Sequence, residues 1–338
     1  MKTRYTLAGA LAGLLGAMAM ATSAMAAPLY TMKLTTTTSA DGCVEWLQTL
    51  KKNIDATSDG RIKVEVYPAG QLGSAQRTIE GVAMGTIEVA VNASGFYETL
   101  EPRFAVLSAS GLFDSLGQGA KVLDDPEIRR LFSTYGKTKG FEVLGVFVDS
   151  PLTVVSKQPF QKISDLQGKK IRLPGSPLYI ETFRNLGAAP TSMTLGEVLP
   201  AIQNGTLDGA VGGNTIFNTL KYYDVTKNMT YLPSTNISAV AIVSSQFMQM
   251  IGPDLSKIVR DAAVQADHHV YAWVREHAIK GRSEWEAQGG KSLTLAEPDA
   301  QQFLKAAQGA TKTLFQANPA QAQDYAVFSK VAQKYRQP

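Results

Sequence analysis

Between Pro253 and Gly281 the chain carries neither proline nor glycine, and that uninterrupted run restricts its fold more than any other feature. Apolar or small residues recur at Leu255, Ile258, Val259, Ala262, Ala263, Ala266, Val270, Trp273 and Val274, one face of a helix at the 3.6-residue period. Pro253 and Asp254 supply a start signal. The spacing predicts a helix of about 25 to 30 residues from Leu255 onward, roughly 40 Å long at 1.5 Å per residue. That exceeds twice the usual globular length and is enough to lie across two lobes. A coiled coil is the competing reading, but the heptad pattern ends after about three repeats and no partner segment accompanies it.

Upstream of that run the chain alternates strand and helix. Leu29 to Thr38 is rich in threonine and reads as a strand, and Ser39 to Ala56 carries Val44, Leu47, Leu50 and Ile54 at helical spacing. Arg61 to Tyr67 alternates strictly, Ile79 to Met84 fits a helix, and Ile87 to Val91 is an apolar strand. Further strands are expected at 142–148, 152–156, 170–173, 208–211 and 237–243. Helices are expected at 177–186, 195–204, 299–316 and 321–335, with Asp124-Asp125 before Pro126 as another helix start. This is an α/β pattern with a largely parallel sheet in its first part.

At the N-terminus, Lys2 and Arg4 precede the uncharged run Leu7 to Met20, and Ala24-Met25-Ala26 follows. That is the layout of a Sec leader, 1–26, cut ahead of Ala27, and its apolar part is too short for a stable span. The remaining chain, roughly 310 residues, is expected to be soluble, outside the cytoplasm and divided into two lobes. The formal net charge is +4, and loss of Lys2 and Arg4 takes it to about +2. Such a balance offers no electrostatic reason for a nucleic-acid partner. Cys43 is the single cysteine, which forbids an internal disulfide and reads as a small buried residue.

Chemistry-bearing motifs are scarce. His268, His269 and His277 are the three histidines, and neither of the first two lies three or four residues from the third, so no helical metal pair forms. No phosphate-binding glycine loop or nucleophile elbow occurs, and the carboxylates are scattered, with no pair expected to share a face. Neither a metal nor a cofactor is expected. The most telling residue is Arg172, a charge in the otherwise apolar strand Lys170-Ile171-Arg172-Leu173, directly before the strand-breaking Pro174. Ligands of open α/β sheets gather at the carboxyl ends of strands, and a guanidinium matches a carboxylate with a planar fork. On spacing alone an edge-strand arginine in solvent is equally compatible.

Several segments together resemble the solute-binding proteins of TRAP transporters, the DctP family. They are Asp165 to Pro177, Leu186-Gly187-Ala188-Ala189-Pro190, Met193 to Val198 and Ala201 to Gly209. Pro68-Ala69-Gly70-Gln71-Leu72-Gly73, Gly85-Thr86-Ile87-Glu88 and Lys221-Tyr222-Tyr223-Asp224-Val225 support them in order. The resemblance implies a two-lobe periplasmic binding protein of type II-like form, with hinge strands and the long helix spanning the lobes. Lobe I is expected at 27–149 plus about 237–270, and lobe II at 150–236 plus about 271–338. The resemblance assigns Arg172 to the salt bridge with a solute carboxylate. It places Asn92, Leu195, Thr37 and Thr38 beside the ligand, although Asn92 also reads as a turn cap and Leu195 as helix core. Pro174 and Gly212 complete the expected set.

The sequence departs from the family pattern in three places. Where many members carry a second arginine, Pro151-Leu152-Thr153-Val154-Val155 has none. Gly212 stands where an asparagine is usual, with Asn214 two places on as the expected substitute, and Ser110-Gly111 precedes Leu112-Phe113. A monocarboxylate therefore fits better than a dicarboxylate. The expected partners are a small organic acid and the small and large TRAP membrane subunits, with the protein itself monomeric and periplasmic. A binding protein serving a chemoreceptor or sensor kinase, and a periplasmic enzyme, are the alternatives.

Overall fold

The computed structural model describes residues 29–336; the expected leader, 1–26, lies outside the described residues. Strand β1 (Tyr30–Thr35) leads into helix α1 (Gly42–Thr57), whose first N–H groups are capped by the Asp41 carboxylate. Strand β2 (Ile62–Tyr67) follows, then α2 (Ala75–Ala83), which starts before Ile79 because Ser74 caps it, then β3 (Val89–Ala93). β1 pairs in parallel with both β2 and β3. Two short helices, α3 (Leu116–Asp124) and α4 (Pro126–Phe132), are packed beside this sheet, the second capped by Asp125.

The strands expected at 142–148 and 152–156 are one strand, β4 (Phe141–Ser156). Its register shifts between Val148 and Ser150 and again between Pro151 and Thr153. Pro151 has no N–H to give a ladder, and a bulge is where a strand tolerates it. The second lobe contains β5 (Lys170–Leu173), α5 (Pro177–Asn185), β6 (Ala189–Ser192), α6 (Leu195–Gln203), β7 (Gly209–Gly213) and α7 (Asn214–Thr219). Strand β8 (Asn228–Ser244) is longer than the expected 237–243 and runs antiparallel along β4. After α8 (Ser245–Met250) and the long α9 (Gly252–Ala287) come β9 (Lys291–Thr294), α10 (Glu297–Gln316) and α11 (Pro319–Lys334). β6 and β9, unanticipated from the sequence, are short edge strands, and neither has a fully buried residue to betray it. No helix among the described residues is long and apolar enough to cross a membrane.

The nine strands of the described residues form one sheet, ordered β2-β1-β3-β8-β4-β7-β5-β6, with β9 added to β8. β4 and β8 make it continuous. Their Phe141 and Ser244 ends lie beside β3 in the first lobe, and their Ser156 and Asn228 ends lie beside β7 and β9 in the second. Each lobe buries both sheet faces. In the first, Phe104, Phe132 and Ile242 occupy one face and Trp46, Leu50 and Val259 the other; in the second, Phe183 and Phe303 face one way and Ile202, Phe217 and Trp285 the other. α9 supplies Val259 to Val274 to the first lobe's core and Trp285 to the second's, so it spans the lobes.

Two local outcomes differ from expectation. α9 does not stop at Gly281 but continues to Ala287, 36 residues in all. Glycine at 281 is required by closeness, since a Cβ there would lie 2.6 Å from Asn214 Nδ2. The C-terminal helix also diverges from the lobe expected for 271–338. Phe328, Val331 and Ala332 of α11 join Phe104, Ile128 and Phe132 in the first lobe's core.

Candidate functional site

A cavity of about 500 Å³ lies where the lobes face each other, closed behind by β4 and β8. The first lobe presents the loop after β1, the turn before α2 and the end of β3; the second presents the ends of β5 and β7 and the starts of α6 and α7. The lobes touch across it where Thr219 Oγ1 donates to the Ala40 carbonyl at 3.0 Å. Phe96, Leu195, Ile216, Phe217 and Leu220 make much of the wall apolar.

Arg172 is the one cationic side chain among the described lining residues. It sits at the carboxyl end of β5, opposite Ala210 of β7, and is only 3% exposed. Nε donates to the Met193 carbonyl at 3.0 Å and Nη1 to the Val211 carbonyl at 3.3 Å. A guanidinium has five N–H donors, so most remain unused. Among the described residues no carboxylate lies within ion-pair distance of it. Burial lowers its pKa to about 10, with a smaller opposing effect from the Tyr222 hydroxyl, so it stays charged at neutral pH. A buried charge without a counter-ion is costly, and this one faces a cavity.

Opposite, the Thr37 N–H and hydroxyl donate to Asn92 Oδ1 at 3.4 and 3.0 Å, which orients the amide. Asn92 is 2% exposed and its Nδ2 has no partner among the described residues. Thr38 Oγ1 donates to Asp41 Oδ1 at 2.7 Å. Pro174, Leu195 and Gly212 line the wall beside these. Gly212 leaves room for the Phe217 ring, which a Cβ would meet at 2.7 Å. The structure thus brings seven of the eight expected residues to one cavity: Thr37, Thr38, Asn92, Arg172, Pro174, Leu195 and Gly212.

Asn214 is the exception, and the expectation that it takes over a ligand-facing amide role is corrected. It opens α7 fully buried, with Nδ2 donating to the Ala278 carbonyl at 2.9 Å and to the Tyr231 hydroxyl at 3.3 Å. Its side chain is directed into the contact between α7 and α9 rather than toward the cavity.

Sequence reasoning missed an acidic pair. Asp41, Cys43 and Asp149 line the same cavity, with one ligating atom from each within 4.8 Å of the others. Scattered carboxylates were expected, yet the fold brings Asp41 at the start of α1 against Asp149 in the bulge of β4. Burial raises both pKa values, and for Asp149 the charge of Asp41 adds to the rise. The Cys43 thiol is pushed up by burial and then by those two carboxylates, so it stays protonated. Asp149 had a signal, a single charge within Phe147-Val148-Asp149-Ser150-Pro151-Leu152, of the kind that singled out Arg172. Asp41 had none beyond that of an ordinary helix cap.

The histidines make no cluster. His269 meets Glu45 at 2.7 Å, His268 meets Asp124 at 3.3 Å, and His277 stacks on Trp273.

Comparison with known proteins agrees with this architecture. The sequence profile of the bacterial extracellular solute-binding proteins, family 7 (DctP), matches residues 35–318. The chain is 30% identical over 233 residues to the uncharacterized protein YiiZ of Salmonella typhimurium, covering 68% of this chain and 71% of that one. It is 26% identical over 237 residues to the ectoine/5-hydroxyectoine-binding periplasmic protein UehA of Ruegeria pomeroyi, covering 69% of each. A TRAP periplasmic solute-binding protein of Xanthobacter autotrophicus, solved with bound β-D-galacturonate, superposes with a TM-score of 0.83 at 25% identity, over 88% of this chain and 99% of that one. The two-lobed fold with its crossing strands, the cavity between the lobes and a profile match over most of the chain lead to one conclusion: the protein belongs to the DctP family of bacterial extracellular solute-binding proteins.

Proposed function

We propose that the protein captures a small organic acid bearing one carboxylate between its lobes and delivers it to the small and large membrane subunits of a TRAP transporter. Arg172 carries this reading. It is a buried guanidinium, free of carboxylate partners among the described residues, with unused donors lining a cavity of about 500 Å³. A carboxylate entering there forms a desolvated, charge-assisted pair, the kind worth most in binding. Asn92 Nδ2, Thr37 and Thr38 supply further polar contacts from the first lobe, and Leu195, Pro174 and Gly212 shape the apolar wall. The lining holds no second arginine among the described residues, which supports a single recognised carboxylate. The galacturonate held by the Xanthobacter protein is itself a monocarboxylate.

The same reading takes 1–26 as the export leader, places the mature monomer in the periplasm and gives it a binding role, not a catalytic one. It divides the chain at the β4 and β8 crossings, with α11 counted in the first lobe. A ligand touching both lobes favours the closed state, which the membrane subunits read.

The test is a thermal-shift screen of mono- and dicarboxylates, then calorimetric titration of the best hit against wild type and Arg172→Ala. A monocarboxylate that raises Tm is expected, since binding to the native state alone stabilises it. The variant is expected to lose about 2–5 kcal/mol of binding. Equal affinity in the variant removes Arg172 from the site and sinks the reading.

A further inference from the structure

The cavity has two charged poles, and the proposed function uses only one. At the second-lobe pole is Arg172. At the other, where α1 meets the β4 crossing, are Asp41 and Asp149. Among the described residues neither acid comes within ion-pair distance of Arg172 or of any other cation. Asp41 Oδ1 is committed to the Thr38 hydroxyl and to the N–H groups of Cys43 and Val44, at 2.7, 3.0 and 3.2 Å. Among the described residues its second oxygen accepts no hydrogen bond. Asp149 Oδ1 is buried without a partner among the described residues, and its other oxygen receives a long contact of 3.4 Å from the Ser150 hydroxyl. Gly42 permits this arrangement, because a Cβ at that position would collide with Asp149 Oδ1.

Acids in a cluster do not by themselves make a site. Here two independent buried groups line the same cavity and point to a ligand: Arg172 without a counter-ion, and Asn92 with an unpaired Nδ2. A plain anion gains at Arg172 but must also enter beside at least one carboxylate, and the two effects oppose each other at low dielectric. A molecule carrying both charges satisfies both poles.

We infer that the preferred solute is zwitterionic, its carboxylate on Arg172 and a cationic nitrogen, ammonium or amidinium, between Asp41 and Asp149. This rests on the carboxylate reading above and names the class of acid. The ligand then touches the first lobe at Asp41, the crossing strand at Asp149 and the second lobe at Arg172, so its binding couples directly to closure.

The experiment uses the mature full-length protein. Calorimetry compares α- through ε-amino acids with the hydroxy acids of the same skeletons, and ectoine with β-D-galacturonate, on wild type, Asp149→Asn and Asp41→Asn. Asparagine also caps helices, so the second variant keeps α1 intact if the first fails to fold. For at least one skeleton the amino member is expected to bind at least about tenfold tighter than its hydroxy partner, a difference of about 1.4 kcal/mol. Either variant should erase that preference, and the hydroxy acid, with one carboxylate fewer beside it, should bind tighter than it does to wild type. The titratable lining groups are Asp41, Cys43, Asp149 and Arg172. Because the cation displaces the proton the acidic pair holds, affinity for the amino member should rise with pH, whereas that for the hydroxy member should fall as the pair gains negative charge. Hydroxy acids binding as well as amino acids overturn the inference and leave the Arg172 reading standing. Failure of every carboxylate to bind brings down both. A Tm that falls with chelator and returns with a divalent ion assigns the pair to a metal and overturns the inference.

Discussion

At the scale of single residues, the molecule repeatedly places a charge where burial opposes it, and the surroundings decide what that charge does. Arg172 stays charged although buried, and the proposed function gives that charge to a ligand. Glu98 shows the other outcome. It is 6% exposed, and burial pushes its carboxyl up to about 8, with the Ser176 and Ser108 hydroxyls offsetting part of the rise. In the unfolded chain it titrates near its ordinary value of 4.5. Between those two values the folded state holds a proton that the unfolded state has released, so stability falls as pH rises through that window. Glu98→Gln removes this dependence. Denaturant unfolding across the window should show the variant gaining on wild type by roughly 2–4 kcal/mol. A constant difference between the two at every pH rules out the assigned proton. Arg172 was legible as a residue because a charge in an apolar strand is conspicuous. Asp41 was not, because a carboxylate that caps a helix looks the same whether or not it also faces a cavity.

At the scale of elements, the long helix was visible through its apolar face, but its end was not. Glycine at 281 reads locally as a stop, yet the helix passes through it because α7 lies too close for any side chain there. Gly281→Val should therefore push on Asn214 and cost about 1–3 kcal/mol of stability, measured by urea unfolding. An unchanged midpoint contradicts the close packing of α7 on α9. The crossing strands were read only in part. Each of 142–148, 152–156 and 237–243 has the composition of a strand, but Asp149 and Pro151 interrupt the pattern that would have joined the first two. The continuity of β4 comes from its pairing with β8, which leaves Asp149 out of register in a bulge and keeps Pro151 opposite Asn236 beside the next irregularity.

For the molecule as a whole, the two crossing strands, α9 and the passage from α10 to α11 are the covalent links between the lobes, and the proposed function requires the cavity to open and close about them. Small-angle scattering on the mature protein should show a smaller radius of gyration when the best carboxylate from the screen is added. Arg172→Ala should show no such contraction at the same ligand concentration. Contraction that is equal in both removes Arg172 from the closing mechanism. The expected division into lobes failed for α11, whose apolar face at Phe328, Val331 and Ala332 has no sequence mark for the lobe it covers.

By itself the sequence determined the alternation of strands and helices, the lobe-spanning helix, the family pattern and the singular position of Arg172. These are encoded locally, in residue periodicity, chain breakers and one charge in an apolar run. Tertiary structure alone decided that Asn214 serves a helix contact, that α11 returns to the first lobe, and that Asp41 and Asp149 meet across a sequence separation no local pattern can bridge. Pairings of that kind are set by the register of β4 on β8 and by how close α1 can approach it, so the acidic pole facing Arg172 exists only once the sheet has formed.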